Sequence, residues 1–189
     1  MESFLISTGV VALAEIGDKT QLLSLVLAAR FRKPVPIILG ILVATLLNHA
    51  LAGAVGAWLT ALIGKDALRW VLGLSFIAMA VWIMIPDKLD EESSSAPKFG
   101  VFLTTFIAFF IAEMGDKTQI ATVMLAARYA EVAWVVAGTT LGMMIANVPA
   151  VLLGEGVAKR VPLKLVHSIA AAIFAILGVL AILNTGNLF

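Results

Sequence analysis

Six long apolar runs, joined by short polar connections, dominate the chain. They lie at Phe4–Ala29, Val35–Ile63, Leu68–Ile85, Val101–Ala127, Ala133–Gly154 and Leu165–Leu183. A helix needs about 20 apolar residues to cross a bilayer, and all six runs reach or approach that length. The second run is interrupted strongly only by Asn48 and His49, so it is expected to form one tilted or overhanging helix. Hydrophobic residues make up 61% of the 189 residues and charged residues 13%, against about 25% charged in a typical soluble domain. The chain therefore lacks the polar surface of an ordinary soluble domain, and lipid is its natural surrounding. The fold expected is an all-α membrane protein.

Composition also removes several function classes. There is no cysteine and there are two histidines, His49 and His167. Thiolate metal sites, disulfides and thiol nucleophiles are thus out of reach. No basic run points to nucleic acid, and no nucleophile–base constellation points to an enzyme. The start of the chain carries Glu2 rather than a basic segment and runs directly into the first apolar stretch. It is expected to stay in the mature protein.

The first and fourth runs carry the same polar motif. Ala14-Glu15-Ile16-Gly17-Asp18-Lys19-Thr20-Gln21 recurs as Ala112-Glu113-Met114-Gly115-Asp116-Lys117-Thr118-Gln119. The match extends to Leu27-Ala28-Ala29-Arg30-Phe31 and Leu125-Ala126-Ala127-Arg128-Tyr129, and the same offset of 98 pairs Gly40 with Gly138 and Gly56 with Gly154. An ungapped match that keeps charged residues in apolar segments signals duplication. The expected layout is a first three-helix repeat over residues 1–86, an acidic linker at 87–98 and a second repeat over 99–189. Three spans per half reverse the second half in the membrane, giving six transmembrane helices as two inverted repeats. One side would hold Arg30, Arg32, Lys33, Lys88, Lys98, Lys159, Arg160 and Lys164, the other Lys65, Arg69 and Arg128. The richer side is assigned to the cytoplasm, with both termini outside it.

Each motif starts about a dozen residues into its run, near mid-bilayer at about 1.5 Å per residue. Four carboxylates, Glu15, Asp18, Glu113 and Asp116, would together cost on the order of 10 kcal/mol if ionised and facing lipid. They must line a cavity, hold protons or bind cations. On an unbroken helix, Glu and Asp at i and i+3 share a face. Gly17 and Gly115 lower the cost of unwinding the motif, which would expose backbone carbonyls as further ligands. Apposed motifs would supply Glu15, Asp18, Gln21, Glu113, Asp116 and Gln119, with Asn147 from the fifth helix as an added oxygen. An all-oxygen shell suits hard divalent ions such as Mn²⁺, Ca²⁺ or Mg²⁺. Crowded carboxylates hold protons when metal is absent, and metal binding expels them. Competition of that kind is the minimum chemistry for antiport.

A blander reading is a buried ion pair, since Glu15 with Lys19 and Glu113 with Lys117 have i, i+4 spacing. Thr20 and Thr118 are expected to cap a broken helix or bond to backbone. Ser24 and Thr122 align and could line a cavity. Asn48 and His49 read as interhelical polar contacts and His167 as interfacial. The glycines of the second and fifth helices read as close-packing positions, and Trp58, Trp70, Trp82 and Trp134 as interfacial anchors.

The duplicated Glu-x-Gly-Asp-Lys-Thr motif resembles that of the Golgi manganese/calcium–proton exchanger family and its bacterial manganese-exporter branch. The resemblance covers the whole chain in length, six-helix layout and acidic central linker. It implies export of Mn²⁺, with Ca²⁺ as a second candidate, in exchange for protons. It implies a cation site at Glu15, Asp18, Glu113 and Asp116, no tightly bound cofactor, and a bacterial inner-membrane location. Homodimerisation is compatible with it. The alternatives left by the residues are a divalent-cation channel and a non-transporting scaffold with buried ion pairs.

Overall fold

The computed structural model describes residues 1–85, 100–129, 131–153 and 162–183. The linker at 87–98, Gly154, and the basic residues Lys88, Lys98, Lys159 and Arg160 lie outside the described residues. Within them the chain is all-helical, with eight helices. These are α1 (Glu2–Glu15), α2 (Lys19–Phe31), α3 (Pro34–Leu62), α4 (Lys65–Trp82), α5 (Val101–Glu113), α6 (Lys117–Tyr129), α7 (Val132–Leu153) and α8 (Leu163–Leu183).

The second apolar run forms one helix of 29 residues, as its composition predicts, started by Pro34 at its first turn. The helices α3, α7 and α8 are each long and apolar enough to cross a membrane, and Ala67–Trp82 and Val101–Glu113 are shorter apolar helices. The first and fourth runs depart from continuous spans. Each is divided into two helices, of 14 and 13 residues in the first run and 13 and 13 in the fourth. The outward side of α3 is a continuous apolar surface of Leu39, Val43, Leu46, Leu47, Leu51 and Val55, all exposed. So large an apolar face has lipid as its natural partner. Trp58, Trp70 and Trp134 are also outward, whereas Trp82 packs partly against the core.

Helix pairs related by the offset of 98 pack alike. Helix α1 lies on α7 as α5 lies on α3, and α2 lies on α7 as α6 lies on α3. Glycines make the closest approaches. A Cβ on Gly40 would lie 2.9 Å from the Phe102 carbonyl oxygen and 2.8 Å from the Thr105 Cβ. One on Gly138 would lie 2.5 Å from the Phe4 carbonyl oxygen and 3.0 Å from the Ser7 Cβ. Gly138, Phe4 and Ser7 are the offset-98 counterparts of Gly40, Phe102 and Thr105. The glycines thus let backbones meet where lipid supplies no hydrophobic drive between helices.

Gly138→Ala is expected to push α1 from α7 and cost about 1–3 kcal/mol. Gly9, on the exposed face of α1, has nothing within 4 Å of its would-be Cβ, and Gly9→Ala should leave stability unchanged or raise it. Thermal unfolding in detergent compares the two.

Candidate cation site between the two motifs

The interruption of each broken helix is a tight turn with the same dihedral pattern. Ile16 has φ −64° and ψ 115°, Gly17 has φ +86°, and the Asp18 amide donates to the Glu15 carbonyl at 3.1 Å. Met114 has φ −64° and ψ 117°, Gly115 has φ +77°, and the Asp116 amide donates to the Glu113 carbonyl at 3.1 Å. This is the geometry of a type II turn, in which the third residue needs positive φ and so favours glycine. The glycine is therefore the reason that the helix stops after the glutamate and restarts after the aspartate.

The turn changes the expected use of the motif residues. Gln21 Oε1 accepts the Gly17 amide at 2.9 Å, and Gln119 Oε1 accepts the Gly115 amide at 2.7 Å. Each glutamine reaches back from the first turn of the new helix, a variant of the capping box. Gln21 Nε2 also donates to the Ala146 carbonyl at 2.9 Å. The Glu15–Lys19 and Glu113–Lys117 pairs do not share a helix, because the turn lies between them. Lys19 instead crosses to the other motif, with Nζ 3.2 Å from Asp116 Oδ1. Lys117 Nζ donates to the Ile85 carbonyl at 2.8 Å. The shared-face argument for Glu and Asp also lapses; the turn, not helical periodicity, brings each acid inward.

All four carboxylates are buried. Oxygens of Glu15, Glu113 and Asp116 lie within 4.8 Å of one another. Two oxygens on one ion are separated by at most twice the metal–oxygen distance, about 4–5 Å for Mg²⁺ or Ca²⁺. Carboxylate oxygens from both motifs are therefore close enough together to be shared by one ion of the larger kind, such as Ca²⁺. Glu15 Oε1 and Glu113 Oε1 have no hydrogen-bond partner among the described residues. Their other oxygens are held by hydroxyls: Thr20 Oγ1 donates to Glu15 Oε2, and Thr118 Oγ1 donates to Glu113 Oε2 at 3.1 Å. Each threonine thus orients a glutamate and leaves its second oxygen free to bind, a role that sequence reasoning missed. Its signal was in the motif, since Thr follows Glu by five residues across the turn in both copies.

Other predicted residues take separate places. Asn147 Oδ1 accepts the Ser24 hydroxyl at 2.7 Å, and its Nδ2 donates to the Met143 carbonyl at 3.1 Å. Thr122 donates to the Thr118 carbonyl at 2.8 Å. Asn48 Nδ2 donates to the Phe110 carbonyl at 3.1 Å, an interhelical contact as expected. His49, the offset-98 counterpart of Asn147, is fully buried. His167 is not simply interfacial: its Nε2 donates to the Ile16 carbonyl at 2.8 Å, inside the first turn.

Broken apolar helices that bring buried carboxylates of two repeats to one point define a membrane protein built to handle cations. Comparison with known proteins gives the family. The sequence profile of the divalent cation/proton antiporter GDT1 matches residues 3–91 and 101–187, and the chain belongs to that family of membrane transporters. It is 55% identical over 178 residues, 94% of this chain and 88% of the other, to a Vibrio cholerae protein named "Putative manganese exporter". A GDT1-like protein of Synechocystis is 31% identical over 90% of this chain and 92% of its own length. GDT1-like protein 3 of rice is 27% identical over 89% of this chain and 69% of its own length. No solved structure matches.

Gly115→Ala is expected to cost about 1–2 kcal/mol through its positive φ alone. Gly17→Ala should cost more, because Leu163 Cδ2 already lies 2.5 Å from the would-be Cβ. Unfolding midpoints of the two variants test this, and equal losses would contradict it.

Proposed function

We propose that the chain exports divalent cations from the cytoplasm in exchange for protons, with Mn²⁺ the main substrate and Ca²⁺ a second one. The observation that carries the reading is the convergence of Glu15, Glu113 and Asp116 oxygens within 4.8 Å. An all-oxygen cluster drawn from both halves is a hard-cation site. Asp18, the counterpart of Asp116, completes the acid set, while Gln21 and Gln119 act first on the turns and Asn147 stands beside Ser24. The manganese assignment rests on the Vibrio relative's name and the family description.

The coupling follows from charge. Without metal, four buried carboxylates beside Lys19 and Lys117 carry more negative charge than those two cations balance, so protons occupy part of the set. A divalent ion entering between Glu15 and Glu113 requires deprotonated ligands and displaces those protons. Protons arriving from the opposite side then release the ion. Lys19 on Asp116 supplies positive charge to the metal-free site and must yield as the ion binds.

In the membrane, the reading places six spans as two inverted three-helix repeats, α1–α2, α3 and α4 followed by α5–α6, α7 and α8. The linker faces the cytoplasm and the termini face away from it, in a bacterial inner membrane. The reciprocal glycine contacts of α3 with α5 and α7 with α1 support the repeat.

In proteoliposomes, Mn²⁺ entry driven by an imposed pH gradient is expected. Glu15→Gln and Glu113→Gln should each lower it at least tenfold without loss of the folded protein. Metal flux unchanged when the gradient is collapsed would favour a channel. Full activity of both variants would show that these carboxylates are not the cation site, and absence of Mn²⁺ flux in the unaltered protein would leave a scaffold. The apparent Mn²⁺ affinity should fall as pH falls from 8 to 6, because each displaced proton makes binding up to tenfold weaker per pH unit.

A further inference from the structure

The motifs and the central helices follow the repeat, but α4 and α8 do not. The two helices begin at equivalent positions, Lys65 and Leu163. They pack on each other through Gly73 and Gly178, where an added Cβ would lie 3.1 Å and 2.8 Å from the opposite glycine's carbonyl oxygen. As a pair they sit on one side of the site, with α8 on α1 and α4 on α6. The repeat-related contacts, α8 on α2 and α4 on α5, are at most marginal among the described residues.

The two cores show the same bias. One core joins Val10 of α1, Leu125 of α6, Phe76 of α4 and Phe174 of α8. The other joins Leu23, Ile41, Phe109 and Val151 from α2, α3, α5 and α7, with no residue of α4 or α8. On that side, among the described residues, an open groove of about 440 Å³ lies between α2 and the end of α7.

The covered side closes specifically over the first motif. The Leu163 side chain lies on Gly17, and His167 Nε2 holds the Ile16 carbonyl at 2.8 Å. Gly115, the counterpart of Gly17, is exposed, with nothing within 4 Å of its would-be Cβ. The first turn is thus partly covered and the second exposed, while the carboxylates between them stay buried.

We propose that α4 and α8 form a gating pair that rocks between α1/α6 and α2/α5, with His167 as the latch of the observed state. The proposal rests on the antiport reading, which requires two states. Because the halves are homologous, the alternate state is the same arrangement with the halves' roles exchanged, as in other inverted-repeat transporters. The small residues between α4 and α8 let the pair move together without opening a void. Such states need differ by only a few kcal/mol for both to be populated. His167 is a positioning residue here: it acts through the Ile16 carbonyl on the turn that aims Glu15.

The chain has no cysteine, so spin labels can be placed without background. Labels at Val26→Cys on α2 and Ile176→Cys on α8 report the gate. Labels at Val26→Cys and Leu46→Cys on α3 report the frame; all three positions face outward. With the full chain in lipid nanodiscs, the α2–α8 distance should show two populations whose weights change between pH 8 with Mn²⁺ and pH 6 without it. The frame distance should stay single. His167→Ala should lower the ratio of the observed state to the alternate state about fivefold, the size of one lost hydrogen bond. His167→Gln, which keeps an N–H donor, should restore most of it. A single fixed α2–α8 distance under all conditions overturns the gate, and an equal shift of the frame pair also overturns it. Populations unchanged in His167→Ala overturn the latch. Proton-coupled Mn²⁺ flux measured in parallel separates the two readings: flux with a fixed distance leaves antiport standing, whereas gate movement without coupled flux supports the gate and removes antiport.

Discussion

Carboxylates buried inside an apolar helical bundle are costly, and the structure is organised around keeping them there. Glu15 and Glu113 sit at the ends of half-length helices, inside the bundle and fully buried. One oxygen of each is held by a threonine of the following helix, and the other is left without a hydrogen bond among the described residues. A buried acceptor without a partner is expensive unless a proton or a metal completes it. The close glycine contacts of α3 with α5 and α6, and of α7 with α1, hold the broken helices against each other so that the acids meet. Were the helices to separate, lipid could not replace any of these polar contacts.

The turn is the device that makes the arrangement compatible with a membrane. Breaking a helix frees backbone groups, and each motif provides for them locally. The aspartate amide returns to the glutamate carbonyl, and the glycine amide is taken by the glutamine side chain. One short motif thus stops a helix, satisfies its backbone and aims two carboxylates. Its presence in both halves gives one cluster fed from two elements.

Much of this was legible from residues alone. The apolar runs pointed to the helices α3, α7 and α8, and the glycines of α3 and α7 read as close-packing positions, though which helices they meet was not legible. Gly17 and Gly115 marked the two breaks. What else was not legible came from the turn. Helical spacing suggested a Glu15–Lys19 pair, but a turn at Gly17 interrupts the helix between them, and Lys19 reaches Asp116 instead. Gln21 and Gln119 read as ligands by their oxygen atoms, while the turn engages those oxygens through the glycine amides. His167 read as interfacial, because its partner is a backbone carbonyl 151 residues away that exists as a free acceptor only after the helix breaks.

The central claim is that the two motifs make one site in which protons and metal compete. Calorimetric titration of the detergent-purified chain with Mn²⁺, in buffers of different ionisation enthalpy, tests it most directly. The account predicts one ion per chain and the release of at least one proton on binding. Two independent ions per chain, or binding without proton release, would contradict it.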